Sequence, residues 1–174
     1  MKSVLILLAA AGLTAAALAQ TASKPPESYA HVRTSFDLLV HAPYALAAPL
    51  FGPLGERAWA GVEWDPKFIH PQPPSDVEGA VFTVSGGPLT KVWVTTLFDL
   101  QVRRIQYVYF LPGLLVTTID VRFKLIDAGT TQVNVVYTRT ALTPQGNERV
   151  ARMSEDDRKA GHEWQEAIDN YLAE

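Results

Sequence analysis

The chain has 174 residues, of which 48% are hydrophobic, and a net charge of -3 at pH 7. The sequence contains no run of Lys or Arg, which argues against nucleic acid or an anionic membrane surface as a partner. It also lacks cysteine, so an ordinary hydrophobic core rather than disulfides must stabilise the fold. A chain of this length is typical of one domain.

The first twenty residues have the pattern of a secretory signal peptide. Lys2 provides the positive start, an uncharged apolar run covers residues 4–18, and Ala17 and Ala19 give an A-x-A cleavage pattern. A membrane anchor is the alternative, because the run approaches the ~20 residues that span a bilayer. The run is rich in Ala, however, and lacks a basic flank on its far side, which favours cleavage.

This pattern predicts how the chain is organised. We predict a signal peptide over residues 1–19, a flexible lead-in over 20–29 and one domain over 30–174. The mature protein is then exported, either to a periplasm or to the medium, with no stable membrane insertion after cleavage.

The domain begins with a predicted strand and two short helical turns. Residues 32–40 alternate between apolar and polar side chains, which indicates a half-buried strand, and Pro43 follows its end. The next stretch, residues 44–53, is apolar but is interrupted by Pro49 and Pro53. It predicts one or two brief helical turns.

Residues 56–76, called the Pro-rich segment below, combine two tryptophans and a phenylalanine with four prolines. This composition fits neither a helix nor a strand throughout. Proline lowers the entropy cost of holding a loop in place, and Trp59, Trp64 and Phe68 supply apolar area. We therefore predict that the segment forms the rim of a lid over a cavity.

A series of period-two runs follows, each ended by a turn signal. The pattern predicts strands over residues 79–84, 91–99, 103–111, 114–126 and 131–142. The last two runs meet across Asp127, Ala128 and Gly129, a short hairpin connection. Sequential strands joined by tight turns form an antiparallel meander, and clean alternation indicates that one face meets water.

The C-terminal residues 154–174 predict a long helix. Ser154 is a candidate N-cap, and the acidic residues 155–157 would lie at the positive end of the helix dipole. Its apolar stripe consists of Ala160, Trp164, Ala167, Ile168, Tyr171 and Leu172. One helix about 10 Å wide cannot cover a sheet of about six strands. The sequence therefore predicts either a filled centre or a cavity between helix and sheet.

The order of strand, two short helices, meander and terminal helix is that of the helix-grip fold. Over residues 29–174 the sequence resembles the SRPBCC superfamily, which includes START-like, Bet v 1-like and polyketide cyclase or dehydratase-like proteins. The stretches that carry the resemblance are "FDLLVHAPYALAAPLFGPLGERAW", "GVEWDPKFIHP", "GAVFTV", "TRTALTPQG" and "HEWQEAIDNYL". The fold class expected is α+β, a curved antiparallel sheet of six or seven strands with two short helices and a long C-terminal helix.

The resemblance implies a deep hydrophobic cavity under the C-terminal helix, used in the superfamily for lipids, sterols and polyketides and in some branches for catalysis. The candidate residues of the cavity or lid are Trp59, Trp64, Phe68, His70, Trp93, Tyr107, Tyr109, Phe123, Tyr137, Arg139, Trp164 and Ile168. Which faces of the strands with Trp93 and Tyr107 point inward stays open. No catalytic signature stands out, and no cofactor or metal is predicted, because the four histidines lack metal-ligand spacing.

Arg139 is the unusual member of this set. It follows Val133, Val135 and Tyr137 at period two, which places it on the apolar side of its strand. A buried unpaired guanidinium would be very costly. Arg139 must therefore be paired, lie at a strand end where it reaches water, or face a polar group of a ligand.

Three functions are compatible with these features. The first, which the apolar inward positions favour, is an exported monomeric carrier or sensor of a hydrophobic small molecule such as a lipid or polyketide. The second is a cyclase or dehydratase-type enzyme, with Tyr137, Arg139 and His70 as acid or base candidates, which requires a perturbed titratable group in the cavity. The third is a protein-binding module that uses the aromatic lid and has a filled core.

Overall fold

The computed structural model describes residues 28–86 and 89–174. Its centre is an antiparallel sheet of seven strands in the order β1-β7-β6-β5-β4-β3-β2. The strands are β1 (His31–Val40), β2 (Lys67–His70), β3 (Val81–Gly86), β4 (Leu89–Asp99), β5 (Arg104–Leu111), β6 (Leu115–Leu125) and β7 (Thr131–Ala141). The predicted signal peptide over residues 1–19 lies outside the described residues, as does most of the lead-in.

Among the described residues, two helices and two short 3-10 turns accompany the sheet. They are α1 (Tyr44–Ala47), the turns Ala48–Phe51 and Gly55–Ala58, and α2 (Pro144–Leu172). The predicted α+β class and the helix-grip order of elements are confirmed. Within residues 28–86 and 89–174, no helix is both long enough and apolar enough to cross a bilayer.

The meander forms as the alternation predicts. β3 to β7 pair with their sequence neighbours, and β1 pairs with β7. In β6 the inward residues from Leu115 to Phe123 are all buried, while the residues between them are exposed or half-buried. The hairpin after β6 is closed by an Asp127 side chain that accepts a hydrogen bond from the Gly129 amide at 2.8 Å. One face of the sheet is therefore core, and the other meets water.

The Pro-rich segment differs from its prediction, because it contributes a strand. Residues 67–70 form β2, an edge strand that pairs with β3 and contains no proline. Edge strands are often this short, since only one side carries ladder hydrogen bonds.

The predicted start of the C-terminal helix at Ser154 is wrong. α2 begins ten residues earlier, at Pro144, and Thr143 is its N-cap, with a side-chain oxygen that accepts a hydrogen bond from the Gly146 amide. A proline in the first helical position suits this start, because its missing N–H would have no partner there. Ser154 lies inside the helix, where its hydroxyl donates to the Val150 carbonyl at 2.8 Å.

α2 packs mainly on β1 and β7, at one side of the sheet. Gly161 permits a close approach, since a Cβ there would lie 2.9 Å from the Asp37 carbonyl oxygen of β1. At the other end, α1 and the turn Ala48–Phe51 fill the core, and the Phe51 and Phe123 rings meet at 5.5 Å. Space remains between α2, the Pro-rich segment and the middle strands.

Candidate functional site

That space is a cavity of about 400 Å³ between α2, the Pro-rich segment and the sheet. Its wall is built by Glu56, Trp59, Ala60, Trp64, Trp93, Tyr107, Ile119, Tyr137, Glu163, Trp164 and Ala167. All four tryptophans of the chain are among them. The predicted gap between helix and sheet is therefore present.

The floor of the cavity comes from the sheet. The register places Tyr107 of β5, Ile119 of β6 and Tyr137 of β7 side by side, and all three are buried. Trp93 of β4 is also buried and contacts Tyr107 with ring centroids 6.2 Å apart. The inward faces of β4 and β5, left open by the sequence, are thus those with Trp93 and Tyr107.

One wall comes from the Pro-rich segment, which holds two indole rings by their N–H groups. Trp59 donates to the Leu50 carbonyl at 2.7 Å, and Trp64 donates to the Pro53 carbonyl at 2.9 Å. Each bond ties the segment to the turn region before it. Because both N–H groups are satisfied by the backbone, the rings serve as fixed apolar walls.

The opposite wall comes from α2. Glu163, Trp164 and Ala167 line the cavity from one face of the helix, as expected for residues three to four positions apart. Trp164 reaches across to Trp59, with ring centroids 5.1 Å apart. Glu163 is exposed, so it marks the rim where the cavity opens to water.

Glu56 is the titratable group inside the cavity. It lies in the turn Gly55–Ala58, is half-buried, and is surrounded by protein on the sides that do not line the cavity. Burial raises the pKa of Glu56 well above its ordinary value, and the nearby Asp76 raises it further. Burial also raises the pKa of Asp76, although the Leu54 amide donates to its carboxylate at 3.0 Å. Both carboxyl groups therefore favour the neutral form more than in water.

Six of the predicted site residues line this cavity: Trp59, Trp64, Trp93, Tyr107, Tyr137 and Trp164. Tyr109 lies just beside it, buried and 4.5 Å from the Trp93 ring. Phe123 and Ile168 are buried elsewhere in the core.

Two predicted lid residues lie outside the cavity wall. Phe68 stacks on Phe82 at 5.3 Å, on the β2–β3 side of the sheet. His70 is exposed at the end of the edge strand β2. β2 draws both residues into the sheet edge, so the lining part of the Pro-rich segment is its first half.

Arg139 is paired, the first of the three alternatives. It is 3% exposed and donates through both terminal nitrogens to Asp157 of α2, at 2.9 Å for one of these bonds. The Thr34 hydroxyl also donates to Asp157. The Arg139 guanidinium lies 4.3 Å from the Tyr137 ring centroid. The alternative of an exposed position at a strand end is therefore wrong for Arg139. Its ion pair with Asp157 joins β7 to α2 next to the cavity wall.

Sequence reasoning missed Glu56, Ala60, Ile119, Glu163 and Ala167 as lining residues. Ile119 and Ala167 belonged to stripes that the periodicity had identified, so their inward position was available from the pattern. Glu56 and Glu163 carried no such signal, because a single glutamate in a turn or on a helix is usually solvated.

In the part of the chain that the structure describes, no group of three or more His, Asp or Glu side chains could hold a metal ion. The cavity can therefore act through apolar contact, aromatic faces and two carboxyl groups. Tyr137 adds little acid or base capacity, because burial, followed by the neighbouring Glu56, raises the pKa of its hydroxyl.

Solved structures with the same fold are found at low sequence identity. Truncated norcoclaurine synthase from Thalictrum flavum matches with a TM-score of 0.63 and 13% identity over 85% of this chain and 97% of that one. The Zhui aromatase/cyclase from Streptomyces sp. R1128 matches with a TM-score of 0.60 and 13% identity over 83% of this chain and 94% of that one.

The crystal structure of Ara h 8.0201 matches with a TM-score of 0.57 and 12% identity over 83% of this chain and 99% of that one. Neither a protein-family model nor a curated protein matches the sequence. At these identities the structural matches establish the fold, and they confirm the predicted resemblance to Bet v 1-like and aromatase/cyclase proteins at that level.

Proposed function

We propose that this protein binds an apolar small molecule in the cavity between α2 and the sheet, and that it carries or senses this molecule. The observation that carries the proposal is the aromatic cavity of about 400 Å³ itself. Ligand sites in proteins typically measure about 300–1,000 Å³ and have apolar walls with a few polar groups. Here the wall is largely aromatic, two of its rings, Trp59 and Trp64, are fixed by backbone hydrogen bonds, and it includes two carboxyl groups.

Native mass spectrometry of the protein purified from its own host tests this proposal. We expect a complex heavier than the bare chain, whose extra mass is released by solvent extraction. The same chain produced in a foreign host and washed with organic solvent serves as the control, and it should show the bare mass. A bare mass from the native host, together with no uptake of apolar compounds by the washed chain, contradicts the proposal.

A second candidate function is a cyclase or dehydratase-type reaction in the same cavity. It is favoured by Glu56, because a carboxyl with a raised pKa inside an apolar cavity is suited to proton transfer. Glu56 is a better acid or base candidate than the three predicted residues, since Arg139 is paired with Asp157 and His70 lies outside the cavity. Loss of turnover with retained binding in Glu56→Gln would distinguish an enzyme from a carrier.

The protein-binding alternative fits less well. It required a core filled by side chains, and the cavity leaves that centre open. We also propose that the protein acts after export, on the strength of Lys2 and the apolar run over residues 4–18. N-terminal sequencing of the mature protein should find Gln20 first, and a start at Met1 would contradict export by cleavage. The monomeric state stays a prediction.

A further inference from the structure

The cavity wall has a composition that a simple hydrocarbon ligand does not need. Six of its eleven lining residues are aromatic, and two are glutamates, so the aliphatic share is only Ala60, Ile119 and Ala167. Among the described residues, no Lys, Arg or His side chain lines the cavity. A ligand without polar groups would cover the half-buried Glu56 carboxyl and leave it without a partner, which costs free energy. A positively charged ligand would instead pair with Glu56 and also be attracted by Glu163 at the rim.

We propose that the cavity is an aromatic cage for an organic ammonium ion with an apolar body, held between indole rings and carboxyl groups. This inference rests on the proposed function, because it assigns a ligand class to the same cavity. Aromatic cages recognise ammonium groups through the negative faces of their rings, which attract a cation within ~6 Å of the ring centre. Tryptophan has the strongest such attraction.

The tryptophan rings of the wall contact one another in pairs. Trp59 and Trp164 are 5.1 Å apart and tilted by 59°, while Trp64 and Trp93 are 5.4 Å apart and nearly perpendicular, at 88°. A cation would therefore lie against the cavity side of these pairs and not between the two rings of a pair.

The carboxyl groups lie at two depths. Glu163 is exposed at the rim, where it attracts cations from solution, and Glu56 is half-buried at the wall. The titratable groups near Glu56 are Asp76, Tyr107, Tyr137 and Glu163, and none of these four carries positive charge. Arg57 is the cation of the same turn, but it is exposed, donates to the Pro66 carbonyl at 2.7 Å, lies 4.0 Å from Asp65 and does not line the cavity. An entering cation therefore favours ionisation of Glu56, and binding releases a proton from a carboxyl whose pKa burial has raised.

The one guanidinium behind the wall does not oppose this field. Arg139 lies against the Tyr137 ring, but its charge is matched by the two hydrogen bonds to Asp157. The ion pair has no net charge. Its contact with Tyr137 also shows that a ring of this cavity can hold a cation at 4.3 Å.

Isothermal titration calorimetry with two isosteric probes tests the inference. Benzyltrimethylammonium is the cation, and neopentylbenzene has the same shape with carbon in place of the charged nitrogen. We expect the solvent-washed protein to bind the cation at least about tenfold more tightly than the hydrocarbon. Glu56→Gln should weaken cation binding by about tenfold and change hydrocarbon binding by less than about threefold. The matched control is Glu148→Gln, an exposed glutamate of α2 outside the cavity, which should change neither.

If Glu56→Gln does not fold, binding to the unaltered protein at several pH values still tests the ammonium inference. Cation affinity should rise with pH as Glu56 ionises, with no rise for the hydrocarbon. Equal binding of both probes, or a cation affinity independent of pH, overturns the ammonium inference and leaves the proposed carrier function standing. Binding of neither probe, with no molecule found on the native protein, overturns both.

Discussion

Glu56 illustrates how a cavity changes the behaviour of a single carboxyl group. Its pKa is raised by burial and then by Asp76. A carboxyl with a higher pKa in the folded than in the unfolded state stabilises the fold while it is protonated. This contribution is complete below the ordinary carboxyl range, and it is lost as pH rises through the raised pKa.

We therefore predict that Glu56→Gln reduces the fall in the free energy of unfolding as pH rises above the ordinary carboxyl range. Once pH exceeds the raised pKa of Glu56, the gain in stability should be about 1.4 kcal/mol for each pH unit by which that pKa is raised. Urea denaturation at several pH values measures it. Glu163→Gln, at the exposed rim of the same cavity, is the control and should keep the fall of the unaltered protein. An unchanged fall in Glu56→Gln would contradict the prediction.

Asp157 has a different role from the one its sequence neighbours suggest. Read with Glu155 and Asp156, it looks like the acidic first turn of a helix, but it lies in the middle of α2 and binds Arg139. We predict that Asp157→Asn destabilises the protein by about 3–5 kcal/mol, because the Arg139 charge stays buried without a partner.

The matched control for this variant is Asp120→Asn. Asp120 pairs with Arg104 and Arg122 on the solvent face of the sheet, where loss of an ion pair costs about 1 kcal/mol or less. Equilibrium unfolding in urea measures both variants. Similar losses of stability from the two substitutions would mean that the buried Arg139–Asp157 pair contributes no more to stability than a surface ion pair.

Trp64 separates ligand retention from folding. It is half-buried, so Trp64→Ala should cost less stability than the ~3–5 kcal/mol of a fully buried tryptophan. Retention of the bound molecule, followed by native mass spectrometry, should fall by at least about tenfold. Phe68→Ala is the control, since Phe68 is a half-buried ring of the same segment outside the cavity wall. Phe68→Ala should lower stability and leave retention unchanged. If Trp64→Ala lowered stability more than retention, Trp64 would be an ordinary core residue.

At the scale of elements, the position of α2 depends on a glycine. Alanine normally stabilises a helix interior by about 1 kcal/mol relative to glycine. At Gly161 we predict the opposite sign, a loss of about 1–3 kcal/mol, because the added methyl would press on the Asp37 carbonyl and the Phe36 ring of β1.

Thermal or urea unfolding of Gly161→Ala checks the sign. The comparison is Gly129→Ala in the β6–β7 connection, where the nearest atom would lie at 3.8 Å, an ordinary contact. A stabilised Gly161→Ala would show that α2 can move away from β1 without cost.

The elements differ in how well the sequence predicts them. β1 and β6 were predictable because one face meets water and the other meets the core, so their alternation is clean. β2 was not, because four residues among prolines carry too short a pattern. The first ten residues of α2 were missed because their buried positions, Gly146 and Val150, form no apolar stripe.

For the molecule as a whole, the widths of helix and sheet predicted that one helix leaves part of the curved sheet uncovered, but they did not decide between a filled centre and a cavity. The aromatic character of its first wall was also available from Trp59 and Trp64. The two glutamates and the Arg139–Asp157 pair were not, because they depend on distances between elements far apart in sequence.

The whole fold should also show a gradient of local stability. β5, β6 and β7 each have a hydrogen-bonded strand on both sides, whereas residues 56–66 form only turns. We predict amide hydrogen exchange at least about a thousandfold faster in residues 56–66 than in β5, β6 and β7. Exchange followed by mass spectrometry measures this. Slow exchange in residues 56–66 of the ligand-free protein would mean that a ligand enters the cavity elsewhere.

The placement of all four tryptophans around one cavity makes the protein its own optical reporter. Every tryptophan that fluoresces lies in the wall of the cavity that a ligand would occupy. No tryptophan elsewhere therefore adds a constant background to the signal. A shift in colour or intensity on adding a compound would register occupancy directly, without a dye and without altering a residue.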